Sequence, residues 1–233
     1  MQGSGIFETV VPDSIWVSER PVWFGGVRLR SRTTVVRLPD GGLWVHSPAE
    51  PSAEVCAALD ALGEVRWLVV PNRFHHLQAP AAAARYPRAK VVGPRSVRNP
   101  KVSLTMSIDD PGFAHAIPEL TAISLDGVPF LDETVFFHRP SGSLIAADLL
   151  MCACARDHWT WRLVARITDR YEKVRTPPDV RMHTRPSKKL SESIERLLGL
   201  PIAQILVAHS DPITDRPAQQ LAEAWRFATA KNP

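Results

Sequence analysis

Hydrophobic positions in the first third of the chain cluster in short runs rather than recurring at helical spacing. Ile15–Phe24 (IWVSERPVWF), Thr33–Leu38 (TTVVRL) and Leu43–His46 (LWVH) are rich in β-branched and aromatic residues and predict strands. Asp40-Gly41-Gly42 punctuates the last two as a hairpin turn. At Ser52 the period changes. Ser52 caps SAEVCAALDAL, where Val55, Leu59 and Leu62 recur at helical spacing and Gly63 stops the run. Val65–Val70 (VRWLVV) is almost wholly apolar and suits a strand buried on both faces. It leads into Pro71-Asn72-Arg73-Phe74-His75-His76. A short helix over Ala79–Tyr86, closed by Pro87, and a strand at Lys90–Gly93 complete an alternation that argues for a βαβ region.

Strands return at Glu119–Leu125, Glu133–His138 and Leu144–Ala147, with Pro140-Ser141-Gly142 as the turn between the last two. Beyond Asp148 the pattern is mostly helical. Trp159–Val174 predicts one amphipathic helix, with Leu163, Ile167, Tyr171 and Val174 on one side. Arg162, Arg166, Arg170 and Lys173 fall on another side and read as a solvated face, with an anion or nucleic-acid surface as the alternative. Pro177-Pro178 breaks that helix. Ser187–Leu198 predicts a further helix, Gln204–Val207 a buried strand and Pro217–Thr229 the last helix. No internal repeat or long linker interrupts the chain, so one domain over residues 1–233 is expected.

Composition narrows the class. With 233 residues, 45% of them apolar and 22% charged, the chain has ordinary globular composition, which excludes disorder and low complexity. No apolar run reaches the ~18–20 residues of a membrane span, and the best, Leu144–Ala155, carries Asp148. Met1–Pro12 lacks the basic start and apolar core of a secretory signal. The expectation is a cytoplasmic, soluble protein with no membrane partner. The net charge of +4 suits a small anion as well as it suits nucleic acid. Three cysteines cannot build a disulfide framework, and Cys152 and Cys154 stand too close for an unstrained bridge.

Three buried strands each run into a residue that can ligate a metal. Val65–Val70 leads to His75-His76, Leu144–Ala147 to Asp148, and Ile205–Ala208 to His209. Ligands collect at one common edge of helix-packed sheets, so residues far apart in sequence can converge. Three imidazoles and a carboxylate suit zinc or another first-row divalent ion. Adjacent histidines on a strand point to opposite faces. His75 and His76 therefore reach one ion only from a loop or first helical turn, which Pro71-Asn72 supplies. Asp148 is the stronger signal, because a carboxylate inside an apolar run is costly unless paired, hydrogen-bonded or metal-bound. His46, at the end of its strand, is a candidate base at the same edge. His138 belongs to the opposite end of its strand pair, and His115, His158 and His183 have no supporting context.

These residues resemble the metallo-β-lactamase fold superfamily, in a branch with a depleted ligand signature. The resemblance runs from the N-terminal strands to His209. "GSLIAADLL" is similar to the superfamily's strand ending in a bridging aspartate, here Asp148, and "AQILVAHSD" to the strand ending in its last histidine, here His209. Aligned on its final histidine, the His-x-His-x-Asp-His signature places Pro71 and Arg73 at its first two histidines, His75 at its aspartate, and His76 at its end. The lone middle histidine is also missing, its stretch reading Leu125-Asp126-Gly127-Val128-Pro129.

The resemblance implies a four-layer αββα sandwich of the α/β class. It also implies a single surviving metal site, His75, His76, Asp148 and His209, holding one divalent ion: zinc, with iron or manganese as alternatives. Arg73 stands where a lost ion would be and offers a planar fork for carboxylate or phosphate. The implied activity is metal-dependent hydrolysis of a small, anionic substrate, with Arg73 and His46 as catalytic candidates. Four protein ligands would close a tetrahedron, and closed sites are usually structural. The alternative is a non-catalytic binding protein for a small anion or a protein partner. Nucleic acid is disfavoured, since the superfamily's nucleases use the two-metal arrangement broken here. The oligomeric state is left open.

Overall fold

A computed structural model describes residues 5–97, 99–110, 112–113 and 116–229. The chain divides into two compact units, one of Met1–Arg20 and Arg32–Glu119, the other of Pro21–Ser31 and Leu120–Pro233.

The first unit is built on a seven-stranded sheet in the order β1-β2-β3-β4-β5-β6-β7. Its strands are β1 (Glu8–Val11), β2 (Ile15–Phe24), β3 (Val27–Arg37), β4 (Leu43–His46), β5 (Val65–Val69), β6 (Lys90–Gly93) and β7 (Met106–Ser107). The far ends of β2 and β3 belong to the second unit. β3 and β4 are antiparallel across the expected Asp40–Gly42 turn, whereas β4, β5, β6 and β7 run parallel. Helices α1 (Ala53–Leu62) and α2 (Ala79–Arg85) are the crossovers, as the alternation predicted. The Ser52 hydroxyl accepts from the Val55 amide at 3.3 Å and starts α1. Gly63 ends it where a Cβ would lie 2.6 Å from the Gly41 carbonyl, so only glycine fits. Leu59 and Ala58 of α1 bury against Val35, Val45, Val65 and Leu68 of the strands. Each such aliphatic side chain contributes about 1.5–3 kcal/mol on burial.

The second unit carries a four-stranded sheet in the order β11-β10-β9-β8. These are β8 (Leu120–Ser124), β9 (Thr134–His138), β10 (Ser143–Ile145) and β11 (Gln204–Leu206). β10 is antiparallel to β9 and parallel to β11. Around it lie α3 (Trp159–Ile167), α4 (Pro178–His183), α5 (Lys188–Leu198) and α6 (Pro217–Thr229).

Three expectations about elements need correction. The helix expected over Trp159–Val174 stops at Ile167. Asp169 and Glu172 take positive φ, and the following backbone pairs instead with Met151 and Ala153. Arg170, expected on a solvated face, is buried, and its guanidinium donates to the Thr176 carbonyl at 2.7 and 2.9 Å. Pro178 begins a helix rather than only ending one, which costs nothing at a first turn whose amide has no partner in any case. β1, β7 and α4 were not foreseen, being short elements with little periodicity of their own.

Candidate metal centre

Asp148 and His209 come together in the second unit because β10 and β11 are parallel neighbours. Each stands three residues beyond the last registered pair, Ile145 with Leu206. Backbone bonds from Ala146 to Leu206 (2.9 Å) and from Ala208 to Ala147 (3.0 Å) carry the pairing almost to the site. Asp148 Oδ1 lies 3.3 Å from His209 Nε2, with both side chains largely buried.

Each member of this pair is held from behind. The buried Glu133 carboxylate, just before β9, accepts from the amides of Ala147 at 2.6 Å and Asp148 at 2.9 Å. That fixes the turn from which the Asp148 side chain projects. His209 Nδ1 donates to the Arg30 carbonyl at 2.5 Å, which directs Nε2 toward Asp148. Burial pulls the His209 imidazole down, but the Asp148 carboxylate and the Arg30 carbonyl outweigh it, and its pKa is raised.

The Arg30 carbonyl is itself anchored. Its guanidinium donates to Asp157 at 2.6 and 3.3 Å and to Asp211 at 2.7 Å. Asp157 also accepts from the Cys154 amide at 2.7 Å, and Ser210 Oγ accepts from the Cys152 amide at 2.5 Å. The segment 209–211 is thus tied at three successive side chains. Burial raises the Asp211 carboxyl, yet hydrogen bonds and charge from Arg156 and Arg30 prevail and hold it well below the usual range.

In the first unit, His75 and His76 lie in the loop after β5, as their adjacency required. The buried Asn72 side chain shapes this loop, its Oδ1 accepting from the amides of Phe74 at 2.9 Å and His75 at 3.0 Å. His75 Nδ1 shares a 2.6 Å hydrogen bond with Ser47 Oγ, and Ser47 follows β4 with a positive φ. His76 Nδ1 bonds Asn99 Nδ2 at 3.0 Å. Burial and the neighbouring His75 lower the His76 pKa against the opposing pull of a backbone hydrogen bond. Arg73 is half-buried. His46 is buried and stacks on Trp44 with ring centroids 5.4 Å apart.

The remaining histidines have other work. His138 bonds Ser141 Oγ at 2.7 Å, His158 caps α3, and His183 stacks on Phe130 at 4.2 Å. His115 lies outside the described residues. Sequence reasoning passed over Glu133, Arg30, Asp157 and Ser47. Only Glu133 left a signal, a carboxylate opening the apolar run TVFF.

Comparison with solved structures places this architecture. A metallo-β-lactamase from Pontibacter korlensis is similar over 94% of this chain and 99% of its own, with TM-score 0.64 and 13% identity. The FIM-1 metallo-β-lactamase from Pseudomonas aeruginosa, in its mono-zinc form, covers 97% and 96%, with TM-score 0.64 and 11% identity. A metallo-β-lactamase from Erythrobacter litoralis, with β-mercaptoethanol in its active site, covers 96% and 97%, with TM-score 0.63 and 12% identity. No curated protein matches the chain. The fold is thus the αββα class expected from the sequence, that of the metallo-β-lactamases. A family model matches residues 12–157, and the chain belongs to that family, described as Domain of unknown function (DUF4336).

Proposed function

We propose that this protein is a metal-dependent hydrolase with one metal site per chain, acting on a small anionic substrate. The Asp148–His209 pair carries the reading: a buried carboxylate and imidazole at adjoining strand ends, each oriented by a hydrogen bond from behind. Metal-ligating histidines characteristically donate their other ring nitrogen to a protein oxygen, as His209 does. His75, which the sequence offers to the same ion, is the third donor of this reading. We assign these three as ligands, and His76, which the sequence also offered as a ligand, is instead given the role of a neighbour of His75 bonded to Asn99. Three protein ligands leave a position open, which a catalytic site needs. Two imidazoles and a carboxylate suit zinc, with iron and manganese as alternatives.

The fold supports the reading, and the Pseudomonas aeruginosa structure is of a protein in a mono-zinc form. A bound divalent ion would supply a water of lowered pKa and polarise the scissile group. The residues of this chain do the rest. Glu133 and Arg30 hold Asp148 and His209 in place. Arg73 is assigned to binding a carboxylate or phosphate of the substrate through its planar fork.

The test is metal analysis of purified protein, followed by a chromogenic panel of esters and phosphodiesters. The expected result is about one transition ion per chain, lost in Asp148→Asn and His209→Ala, with turnover that follows the metal. Two tightly bound ions, or a protein that takes up none, would overturn the one-metal reading. Metal uptake and anion binding without turnover across the panel would make the chain a binding protein instead. Arg73→Ala should weaken anion binding about tenfold with the metal retained, and Arg73→Lys should recover only part.

A further inference from the structure

We infer that the second unit carries a docking surface for an anionic lipid bilayer, formed by the end of the β2–β3 hairpin and the outer face of α3. Seven large hydrophobic side chains are strongly exposed among the described residues, and five lie on these two segments. Trp23 and Phe24 stand at the end of β2, beside the Gly25–Gly26 turn. Trp159, Leu163 and Ile167 recur every four residues along α3 and therefore form one stripe. All five are more than half exposed, Ile167 by 75%. An apolar stripe on the outside of a packed helix is the reverse of what burial favours, and such patches mark interaction sites.

The two segments form one supported surface. The Trp23 ring meets His158 edge-on at 5.8 Å, and His158 lies 5.8 Å from Trp159. The Arg28 amide donates to Thr160 Oγ1 at 3.0 Å. Behind them, Val22, Val27 and Leu29 of the hairpin pack with Trp161 and Ala165 on the inner side of α3.

Charge selects the occupant. Pro21–Ser31 and Trp159–Ile167 together hold four arginines and no acidic residue. Arg30 is turned to Asp157 and Asp211. Arg28 is exposed, Arg162 and Arg166 bond backbone carbonyls, and Arg166 also lies 3.7 Å over the Tyr171 ring, so among the described residues none of the three meets a carboxylate beside the apolar stripe. Tryptophan, phenylalanine and aliphatic side chains flanked by arginine match the layered chemistry of an anionic bilayer surface, apolar below and phosphate above. A second copy fits worse, because a two-fold interface would set these arginines against one another. Among the described residues no helix is long and apolar enough to cross a membrane, and the attachment proposed is to one leaflet. The expectation of no membrane partner rested on the lack of a span, and this proposal departs from it.

The test is co-sedimentation of the full chain with vesicles of phosphatidylcholine alone or with phosphatidylglycerol. Binding should be about tenfold or more tighter with phosphatidylglycerol, weaken with salt, and shift the tryptophan emission to the blue. Leu163→Glu with Ile167→Glu should reduce it by about tenfold or more. Thermal unfolding and metal content should be unchanged, since both side chains are exposed and distant in sequence from the assigned ligands. Failure to bind phosphatidylglycerol vesicles, or equal binding by the double variant, would overturn the proposal. So would a dimer in light scattering that the same substitutions dissolve. None of these outcomes bears on the hydrolase reading, which is read from metal and turnover.

Discussion

At the scale of single residues, the candidate centre depends on side chains that never face a ligand. Glu133 is a buried carboxylate whose two oxygens accept two consecutive amides. Glu133→Gln keeps the shape but replaces one acceptor with a donor aimed at an N–H. It should cost about 1–3 kcal/mol, measured by urea unfolding. Asp157 acts one step further back, through Arg30, on the carbonyl that accepts the His209 hydrogen bond. Asp157→Asn should lower metal affinity by about 10–100-fold with little change in far-ultraviolet circular dichroism. Unchanged affinity would reduce the Arg30 clamp to a fold contact. Cys152 gives a pH test. Burial, with Cys154, Asp157 and Asp211 nearby, pushes its thiol up to about 11. Only about one molecule in a thousand carries the thiolate at pH 8, so iodoacetamide should modify it slowly until the pH nears that value.

At the scale of elements, local signals decided where helices start, and tertiary bonds decided where one of them ends. Ser52 caps α1 as its sequence predicts, and Ser187, expected inside the helix, caps α5 in the same way. Ser187→Ala should cost about 1 kcal/mol in chemical denaturation, the worth of a helix cap. α3 is the counter-example. Its periodicity runs on past Ile167, but the backbone after it is claimed by Met151 and Ala153, which precede α3 in the chain. The helical pattern in Trp159–Val174 therefore described a face, and part of that face points outward.

At the scale of the molecule, an ion bound only by the folded state stabilises it by mass action. At a hundred times its dissociation constant, that amounts to about 2.7 kcal/mol. For a chain of this size, chelation should then lower the melting temperature by roughly 5–10 °C, and zinc should restore it. Asp148→Asn should melt at one temperature with and without chelator. A parent protein indifferent to both treatments would argue against the metal site as a whole.

The sequence by itself determined the crossovers around β5, the cap of α1, the hairpin at Asp40–Gly42, and the strand ends carrying Asp148 and His209. These follow from periodicity, turn chemistry and the high cost of an unpartnered buried carboxylate, which act within a few residues. It also determined that His75 and His76 must sit in a loop. What only the tertiary structure decided is which groups stand behind the candidate ligands. Glu133 and Asp148, Arg30 and His209, Ser47 and His75 are joined by hydrogen bonds across long stretches of chain. Nothing in the spacing of these residues encodes the strand register that makes them neighbours. The inward turn of Arg170 and the outward turn of Leu163 and Ile167 belong to the same class. An arginine can be buried when carbonyls take its protons, and an apolar residue can be exposed when packing gives the inner face to others. Both depend on partners that periodicity does not register.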